Sequence, residues 1–364
     1  MILHRYFAWK FFLTFLTVFG IFFLLLGLVD LVEQLRRARA DATFADALRL
    51  TLLNIPQSLY RILPLITILS TLALFLGLAR TSEMVVTRAS GRSALRSLVA
   101  PICVALALGG VAIGILNPIV AATSKQYERE ANALKGQTSS ALSLADGGFW
   151  LRQGSETEQT VIRAGQANLE GSLLADVTFL TFSRDGVPIQ RLDAARAELL
   201  LGFWRLSDVK VWRFDESENP EANSLMVATF EVSTDLTKAR IQDSFGTPSA
   251  IPIWELPSFI QSLERAGFSA LSHKIWLQME LALPLLMVAM VLIGAGFTMR
   301  HVRFGRTGQM VLAALLLGFG LFFLRNFAQI MGENGQLPIL FAAWGPPAVG
   351  VLLPLGLLLH LEDG

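Results

Sequence analysis

Apolar residues are concentrated in six long runs along the chain, at about residues 9–29, 60–79, 98–120, 275–298, 310–330 and 338–360. A helix needs roughly 20 apolar residues to cross the hydrocarbon core of a membrane, because each residue rises about 1.5 Å and every backbone polar group must be satisfied internally. The runs therefore predict six transmembrane helices. No small-residue cleavage site precedes the charged stretch after the first run, so we expect a retained anchor.

Between residues 121 and 273 the pattern changes, and no window is long enough to span. Within 140–245 apolar and polar residues alternate, as in DVTFLTFSRDG and MVATFEVSTD, which is typical of strands. Many short strands without a long helix predict a sandwich or jelly roll, with a hairpin turn centred on Asp185 and Gly186. Helical spacing returns near Trp254.

The expected fold is thus an α-helical membrane protein with an all-β, jellyroll-like domain inserted between its third and fourth helices. Residues 1–120 hold the first three helices, and residues 121–273 hold the β domain with flanking connectors. Residues 274–364 hold the last three helices.

The composition agrees with a membrane protein and excludes several functions. The 364 residues are 53% hydrophobic and only 16% charged, with a formal net charge of +1, so no global charge favours nucleic acid. The four histidines are far apart, and the chain has no H-E-x-x-H, G-x-S-x-G or G-x-x-x-x-G-K-[ST] motif. We expect no metal, no cofactor and no catalysis by this chain, so any energy must come from a partner.

The positions of the basic residues predict the orientation, because short loops rich in Lys and Arg stay in the cytoplasm. Both termini are therefore expected in the cytoplasm and the β domain outside. The basic residues that fall on the cytoplasmic side are Arg5, Lys10, Arg80, Arg88, Arg92, Arg96, Arg300, Arg303 and Arg306.

Arg36, Arg37 and Arg39 then lie at the outer end of the first helix. One interpretation is a neutral collar, in which nearby acids balance them. The other is a site for an anionic ligand, since guanidinium groups pair well with phosphate and carboxylate oxygens. The acids are Asp30, Glu33, Asp41 and Asp46.

Three further charged residues, Arg325, Glu280 and Arg61, fall in or beside apolar runs. Arg325 either extends to the membrane surface or lines a cavity with Asn326 and Gln329. For Glu280, beside the helix-kinking Pro284, the sequence favours a partner at the membrane interface.

The cytoplasmic loop after the second helix contains RTSEMVVTRASG at residues 80–91. Ser82 is expected to cap a short helix over about 81–91, Glu83 to occupy its first turn and Gly91 to end it. Such a helix either connects two spans or acts as a coupling helix on which a separate motor subunit pushes.

This stretch resembles the cytoplasmic coupling segment of the LptF/LptG family, the permease subunits of the bacterial lipopolysaccharide export ABC transporter. Three further stretches agree: LVEQLRR at 31–37, the Asn117-Pro118 pair that closes the third helix, and LPILFAAWGP at 337–346 that opens the sixth. The resemblance covers essentially the whole chain, and LVEQLRR together with the ending LLHLEDG favours the LptG branch.

The resemblance implies a half-transporter that pairs with an LptF-like permease above two LptB-like ATPase subunits. Lipopolysaccharide would enter between helices through gates at the first and fifth helices, then pass by the jellyroll to LptC- and LptA-like periplasmic proteins. The family pattern gives Arg36 and Arg37 a role at the lipid A phosphates. Asp30, roughly two turns earlier, departs from that pattern, because an acid there would repel phosphate.

The site candidates are therefore two sets. The substrate-binding candidates are Arg36, Arg37, Arg39 and Arg325. The ATPase-coupling candidates are Ser82, Glu83, Arg88, Ala89, Ser90 and Gly91.

Other functions fit the sequence less well. A mechanotransmitting ABC subunit, which moves a periplasmic partner without passing substrate through its helices, predicts fewer spans and no arginine-lined vestibule. A lipid-modifying enzyme needs a nucleophile or an acid–base pair, and none stands out. A secondary transporter usually shows inverted repeats and broken helices with ion-binding carboxylates.

Overall fold

The computed structural model describes residues 2–363 except 38–42, 90–92, 136–142, 146–147, 155–157, 169–171, 184, 215–218, 235, 238–240, 242–246, 266–267 and 300–306. The chain forms two compact units. The helical unit comprises Met1–Leu134, Ser249–Trp254 and Leu271–Gly364, and the β unit comprises Lys135–Pro248 and Glu255–Ala270.

Long apolar helices build the helical unit. Five of them are long and apolar enough to cross a membrane, and a bent pair of shorter helices gives a sixth span if the pair crosses as one. The prediction of a helical membrane protein with a β domain inserted in the middle of the chain is confirmed. The helices are α1 (Ile2–Arg37), α2 (Phe44–Arg80), α3 (Glu83–Ala89), α4 (Ala94–Val111), α5 (Asn117–Lys135), α6 (Leu256–Arg265), α7 (Leu271–Leu281), α8 (Leu283–Thr298), α9 (Thr307–Glu333) and α10 (Ile339–Asp363).

The fourth span is bent by 49° between α7 and α8. Pro284 lies at the start of α8 and has no N–H group, so the carbonyl of Glu280 loses its usual helical donor. Gly109 of α4 packs directly on this bend. A Cβ atom at Gly109 would lie 2.6 Å from the Cα of Pro284, so only glycine permits this approach.

The third span is continuous through a π-helical segment, Ala112–Leu116, that joins α4 to α5. The Asn117 N–H bonds to the carbonyl of Ala112, five residues earlier. Because Pro118 cannot donate a helical hydrogen bond, this wider turn lets the helix continue past it. The expectation that Asn117-Pro118 closes the third helix is therefore wrong.

Helix α8 is the centre of the helical unit. Most of its residues are buried, and it packs against α2, α4, α9 and α10. A helix that is apolar all round is expected in such a position. Phe7 and Phe11 of α1 and Phe75 of α2 belong to the same buried core.

The β unit contains one antiparallel sheet whose seven described strands pair in sequence order. Connections between neighbouring strands make it a meander. Ser183 and Val187 close the hairpin between the fourth and fifth strands, and Gly186 has φ 81° in its turn. The strands are β1 (Ser143–Ala145), β2 (Gly148–Gly154), β3 (Glu158–Ala167), β4 (Leu173–Ser183), β5 (Pro188–Leu200), β6 (Phe203–Arg213) and β7 (Leu225–Ser233).

Strand pairing is interrupted along one line that crosses five strands. Gly165, Asp176, Ala195, Asp208 and Ala228 occupy matching positions in β3–β7, and the register is the same on both sides of them. Asp176 and Asp208 have φ 54° and 56°. Aspartate tolerates this left-handed region better than most residues. Strand pairing is therefore weaker along this line, and the strands can bend there.

Candidate functional site

The predicted coupling segment, residues 80–91, starts with a turn that leads from α2 into α3. Ser82 lies in the left-handed region, with φ 59°. Its backbone carbonyl accepts the N–H groups of Val85 and Val86 at 3.1 and 3.3 Å, so Ser82 starts α3 through its main chain. Thr81 Oγ1 donates to Glu83 Oε1 at 2.8 Å. These bonds fix the direction in which α3 leaves α2.

Glu83, the first residue of α3, is bound to the N-terminal part of α1. Lys10 Nζ donates to both carboxylate oxygens, at 2.8 and 3.1 Å, and Tyr6 Oη donates to Oε2 at 2.8 Å. Hydrogen bonding from Lys10 is the main reason that the pKa of Glu83 lies below its ordinary value. The carboxylate is therefore ionised near neutral pH. We name this group the α1–α3 anchor.

The other face of α3 is open. Val85 and Val86 are 61% and 69% exposed, and Ala89 is exposed as well. Met84 and Thr87 of the same helix are buried. Two adjacent exposed valines on a helix whose opposite side is held in place form a small apolar face suited to contact with another protein.

Part of each predicted set lies outside the described residues. Arg39, Ser90 and Gly91 fall in the ranges 38–42 and 90–92, which the structure does not describe. Arg37 and Arg88 have helical backbone, but their side chains are likewise outside the description. Their roles stay predictions.

At the C-terminal end of α1, the side chain of Arg36 is 75% exposed, and its guanidinium pairs with Glu33 at 2.9 Å. Exposed ion pairs of this kind are weak, so Arg36 can exchange Glu33 for a stronger anion. Asp30 accepts a hydrogen bond from Asn54 Nδ2 at 2.8 Å. Its carboxylate is therefore engaged with α2.

Asp46 is also engaged, because it forms a capping box with Thr43 at the start of α2. Among the acids of the neutral-collar interpretation, Glu33 is thus the described residue that pairs with Arg36. Asp41 lies outside the described residues. Arg49 pairs with Glu130 at 2.8 Å. Arg36 and Arg49 are thus both exposed arginines that pair with a glutamate.

Arg325 is only 9% exposed and lies inside the helical unit. Glu280 of α7 is buried as well, at 1% exposed. Tyr60 Oη of α2 donates to Glu280 Oε2, and Asn117 Nδ2 of α5 donates to the same oxygen at 3.2 Å. Glu280 is thus buried among polar partners, not paired at the surface of the unit. We name the side chains of Tyr60, Asn117 and Glu280 the polar cluster.

The polar cluster also holds the chain segment that returns from the β domain. Asn117 Oδ1 accepts the backbone N–H of Ile253 at 2.9 Å. Residues Ser249–Trp254 form a connector that belongs to the helical unit, although the chain on either side of it belongs to the β unit. One asparagine side chain therefore joins Glu280 to this connector.

Five long apolar helices, a bent pair that passes the same test together and an inserted antiparallel sheet are the architecture of a multi-pass membrane protein. The chain belongs to the lipopolysaccharide export system permease family LptF/LptG, whose family model matches residues 5–360.

Two curated relatives carry the same description. The chain is 26% identical to the lipopolysaccharide export system permease protein LptG of Escherichia coli strain K12, over 97% of this chain and 94% of that protein. It is equally similar, over the same shares, to the LptG protein of Escherichia coli O6:H1. Both relatives are LptG proteins, the branch that the motifs favour.

The sequence did not predict which residues contact one another in the α1–α3 anchor and in the polar cluster. The sequence indicated Lys10 only as a basic residue of the N-terminus and Asn117 only as part of the pair that closes the third helix, and it gave Tyr60 no role. A signal existed for Glu280 and Arg325, because ionisable residues in apolar runs require partners. The sequence contained no comparable signal for Tyr6, since a tyrosine near a membrane surface is common.

Proposed function

We propose that this chain is one permease subunit of a heterodimeric ABC transporter that extracts lipopolysaccharide from the inner membrane and passes it towards the outer membrane. An LptF-like permease completes the heterodimer, and two LptB-like ATPase subunits supply the energy. LptC- and LptA-like proteins receive the substrate in the periplasm. Family membership over residues 5–360 supports the substrate and the partners.

The α1–α3 anchor is the observation that carries the mechanical part of this proposal. α3 presents an exposed apolar face, and its first residue is bound by Lys10 and Tyr6 of α1. A subunit that pushes on α3 therefore pushes on α1 as well as on α2. In this proposal α3 and both termini are cytoplasmic, and the β domain is periplasmic.

The direct test of the proposal is reconstitution. The chain is co-expressed with the LptF-like permease and the LptB-like ATPase, placed in proteoliposomes, and assayed for ATP-dependent release of lipopolysaccharide to the periplasmic proteins. Release that requires this chain supports the proposal. ATP hydrolysis that moves a periplasmic partner without any lipopolysaccharide release would favour the mechanotransmitting alternative.

Val85→Asp/Val86→Asp is expected to weaken ATPase docking. A carboxylate buried without a partner at an apolar contact costs more than about 1.4 kcal/mol, so we expect at least a tenfold loss of affinity. The measurement is retention of the ATPase on the purified permease heterodimer. Val187→Asp, at an equally exposed valine of the β unit, is the matched control and is expected to retain the ATPase fully.

Arg36→Glu/Arg37→Glu is expected to reduce lipopolysaccharide transport about tenfold or more. Hydrogen bonds from arginine to a charged oxygen contribute roughly 1.5–3 kcal/mol each, and reversal of the charge makes the contact repulsive. The measurement is ATP-dependent transport, together with the yield of lipopolysaccharide adducts from a photo-crosslinker placed at position 36.

Arg49→Glu is the control for that pair, because Arg49 is also exposed and also pairs with a glutamate, Glu130. If the double variant loses transport and Arg49→Glu does not, the outer end of α1 is a specific headgroup site. Equal losses in both would indicate general attraction of an anion, and normal transport with no adduct would make the arginines a neutral collar.

A further inference from the structure

The inner face of the β sheet changes from apolar to polar between one row of side chains and the next. A buried apolar row crosses β2–β6, and the next row on the same face, two residues further along each strand, can form hydrogen bonds. The apolar row is Leu151, Ile162, Phe179, Leu192 and Val211. The polar row is Gln153, Thr160, Thr181, Gln190 and Arg213.

A cavity of about 600 Å³ lies over the part of the polar row that belongs to β2–β5, and the end of β7 forms another of its walls. Gln153 Nε2 donates to the carbonyl of Ser233 at 3.3 Å, and Thr234 Oγ1 donates to Gln153 Oε1 at 2.6 Å. β2 and β7 are not neighbours in the sheet, so these bonds show that the sheet folds back on itself. The volume falls within the roughly 300–1,000 Å³ that is typical of sites for small ligands.

The line of interrupted strand pairing explains why these two walls face each other. The polar row lies on one side of that line, whereas residues 230–234 of β7 and the turn after it lie on the other side. A bend along the line therefore brings the two regions together. The cavity is thus a consequence of the fold and not of one side-chain position.

The centre of the polar row is a pair of threonine hydroxyls. Thr160 Oγ1 and Thr181 Oγ1 are 3.1 Å apart, so one hydroxyl donates to the other. The accepting hydroxyl keeps its own proton, and both oxygens keep lone pairs. The amide of Gln190, which lines the cavity beside Thr181, can also both donate and accept. Groups of this kind match the hydroxyl groups of a ligand, which also donate and accept.

The charges of the cavity favour a neutral ligand. Glu158 and Glu231 line it, and its described lining residues include no Lys, Arg or His. Arg205 pairs with Glu231 at 3.6 Å, and Arg213 continues the polar row, but neither of them lines the cavity. A phosphate or carboxylate in the cavity would lie beside acidic side chains, which would repel it.

The apolar row leaves little room for an acyl chain in this state. Ile162 and Phe179 are at most 1% exposed, and Trp204, which packs against Phe179, is fully buried. Phe230 lines the cavity and is half-buried, so it offers an apolar surface beside the hydroxyl groups. A sugar ring has both kinds of surface, because its C–H groups form apolar patches and its hydroxyls form hydrogen bonds.

We propose that this cavity is a carbohydrate site that binds neutral, polyhydroxylated sugar residues through Thr160, Thr181 and Gln190, with Phe230 beside the ring. The inference rests on the proposed function only for the source of the sugar, which is the oligosaccharide part of lipopolysaccharide. The phosphates and acyl chains of the same molecule bind elsewhere.

The test measures binding of a sugar to the full-length chain, assembled with its LptF-like partner in nanodiscs. Nanodiscs avoid detergents with sugar headgroups, which would compete for the site. The main probe is the oligosaccharide released from lipopolysaccharide by mild acid, free of lipid A. Lactose and inorganic phosphate are the comparison probes. The assay is calorimetric titration at millimolar probe concentrations without ATP, so the result does not depend on transport.

Thr160→Val/Thr181→Val is the decisive variant. It removes both partners of one hydrogen bond, so no hydroxyl is left without its partner, and valine is well suited to strands. We therefore expect normal folding and a rise of at least about fivefold in the Kd for the oligosaccharide. Thr178→Val/Thr229→Val makes the same change at two strand threonines that do not line the cavity, and it is expected to leave the Kd unchanged.

An equal Kd in the parent and in Thr160→Val/Thr181→Val would overturn the site, and so would the absence of oligosaccharide binding to the parent. Displacement of the oligosaccharide by inorganic phosphate would overturn the assignment to a neutral ligand. Equally tight binding of lactose would overturn lipopolysaccharide as the specific source of the sugar. Transport of lipopolysaccharide without oligosaccharide binding would contradict this inference alone, whereas binding without any transport would count against the proposed function alone.

Discussion

Gly109→Leu is expected to prevent the helical unit from folding. A Cβ atom at this position would lie 2.6 and 2.8 Å from the Cα and Cβ atoms of Pro284. Side chains can rotate away from a clash, but these atoms belong to the backbone and the ring of a proline, which cannot. α4 and α8 would have to separate, and α8 is the helix on which the rest of the unit packs.

Overpacking of a core usually costs about 1–3 kcal/mol, and a clash with fixed backbone at the central helix lies at or above the top of that range. We therefore expect little monodisperse protein in detergent and a large fall in Tm for any that remains. The measurement is size-exclusion yield and thermal unfolding of the purified chain.

Gly110→Leu is a close control, because a Cβ atom at Gly110 meets nothing within 4 Å. The two glycines are adjacent on one helix, so helix propensity changes equally in both variants. Normal yield for Gly109→Leu would show that α4 does not seat on the bend at Pro284. Equal loss in both variants would assign the effect to the glycines' local role and not to packing.

The six spans and the β domain could be predicted because each depends on a local pattern. An apolar run of sufficient length must form a spanning helix, and alternation must form strands. The bend at Pro284 was foreseeable for the same reason, since a proline removes one helical hydrogen bond wherever it lies. Asn117-Pro118 shows the limit of such rules, because a π-helical turn absorbs the missing bond and the helix continues.

The contacts within the site could not be predicted, because they join residues far apart in the sequence. Glu83 is separated from Lys10 by 73 positions, and Glu280 from Tyr60 by 220. A single sequence indicates that Glu280 needs a partner but gives no information about which helix provides it. In the sequence, Glu83 is already explained as an acidic residue in the first turn of α3. Its bond to α1 is therefore seen only in the packing of the two helices.

Lys10→Met/Tyr6→Phe is expected to separate ATP hydrolysis from transport. The double variant removes every bond from α1 to Glu83 that forms the α1–α3 anchor and leaves Glu83 itself in place. A push on α3 would then reach α2 but no longer α1. We expect lipopolysaccharide released per ATP hydrolysed to fall at least about tenfold, which corresponds to roughly 1.4 kcal/mol of lost coupling.

Stability should change much less than coupling. Lys10 and Glu83 are each about one-third exposed, and ion pairs in such positions contribute at most about 1 kcal/mol. ATPase retention should also be normal, because Val85 and Val86 are untouched. The measurement is therefore the ratio of transport to hydrolysis in proteoliposomes, with Tm and ATPase retention determined on the same preparations.

The ionisation of Glu83 sets the pH range in which this prediction holds. Lys10 holds the pKa of Glu83 below its ordinary value of 4.5, so the anchor is complete above that pH and is lost only as the pH falls through the lowered pKa. Lys10→Arg keeps the charge and is expected to restore most of the coupling. A normal transport ratio in Lys10→Met/Tyr6→Phe would mean that α3 drives the helices through α2 alone, because α1 would then no longer be held by Glu83.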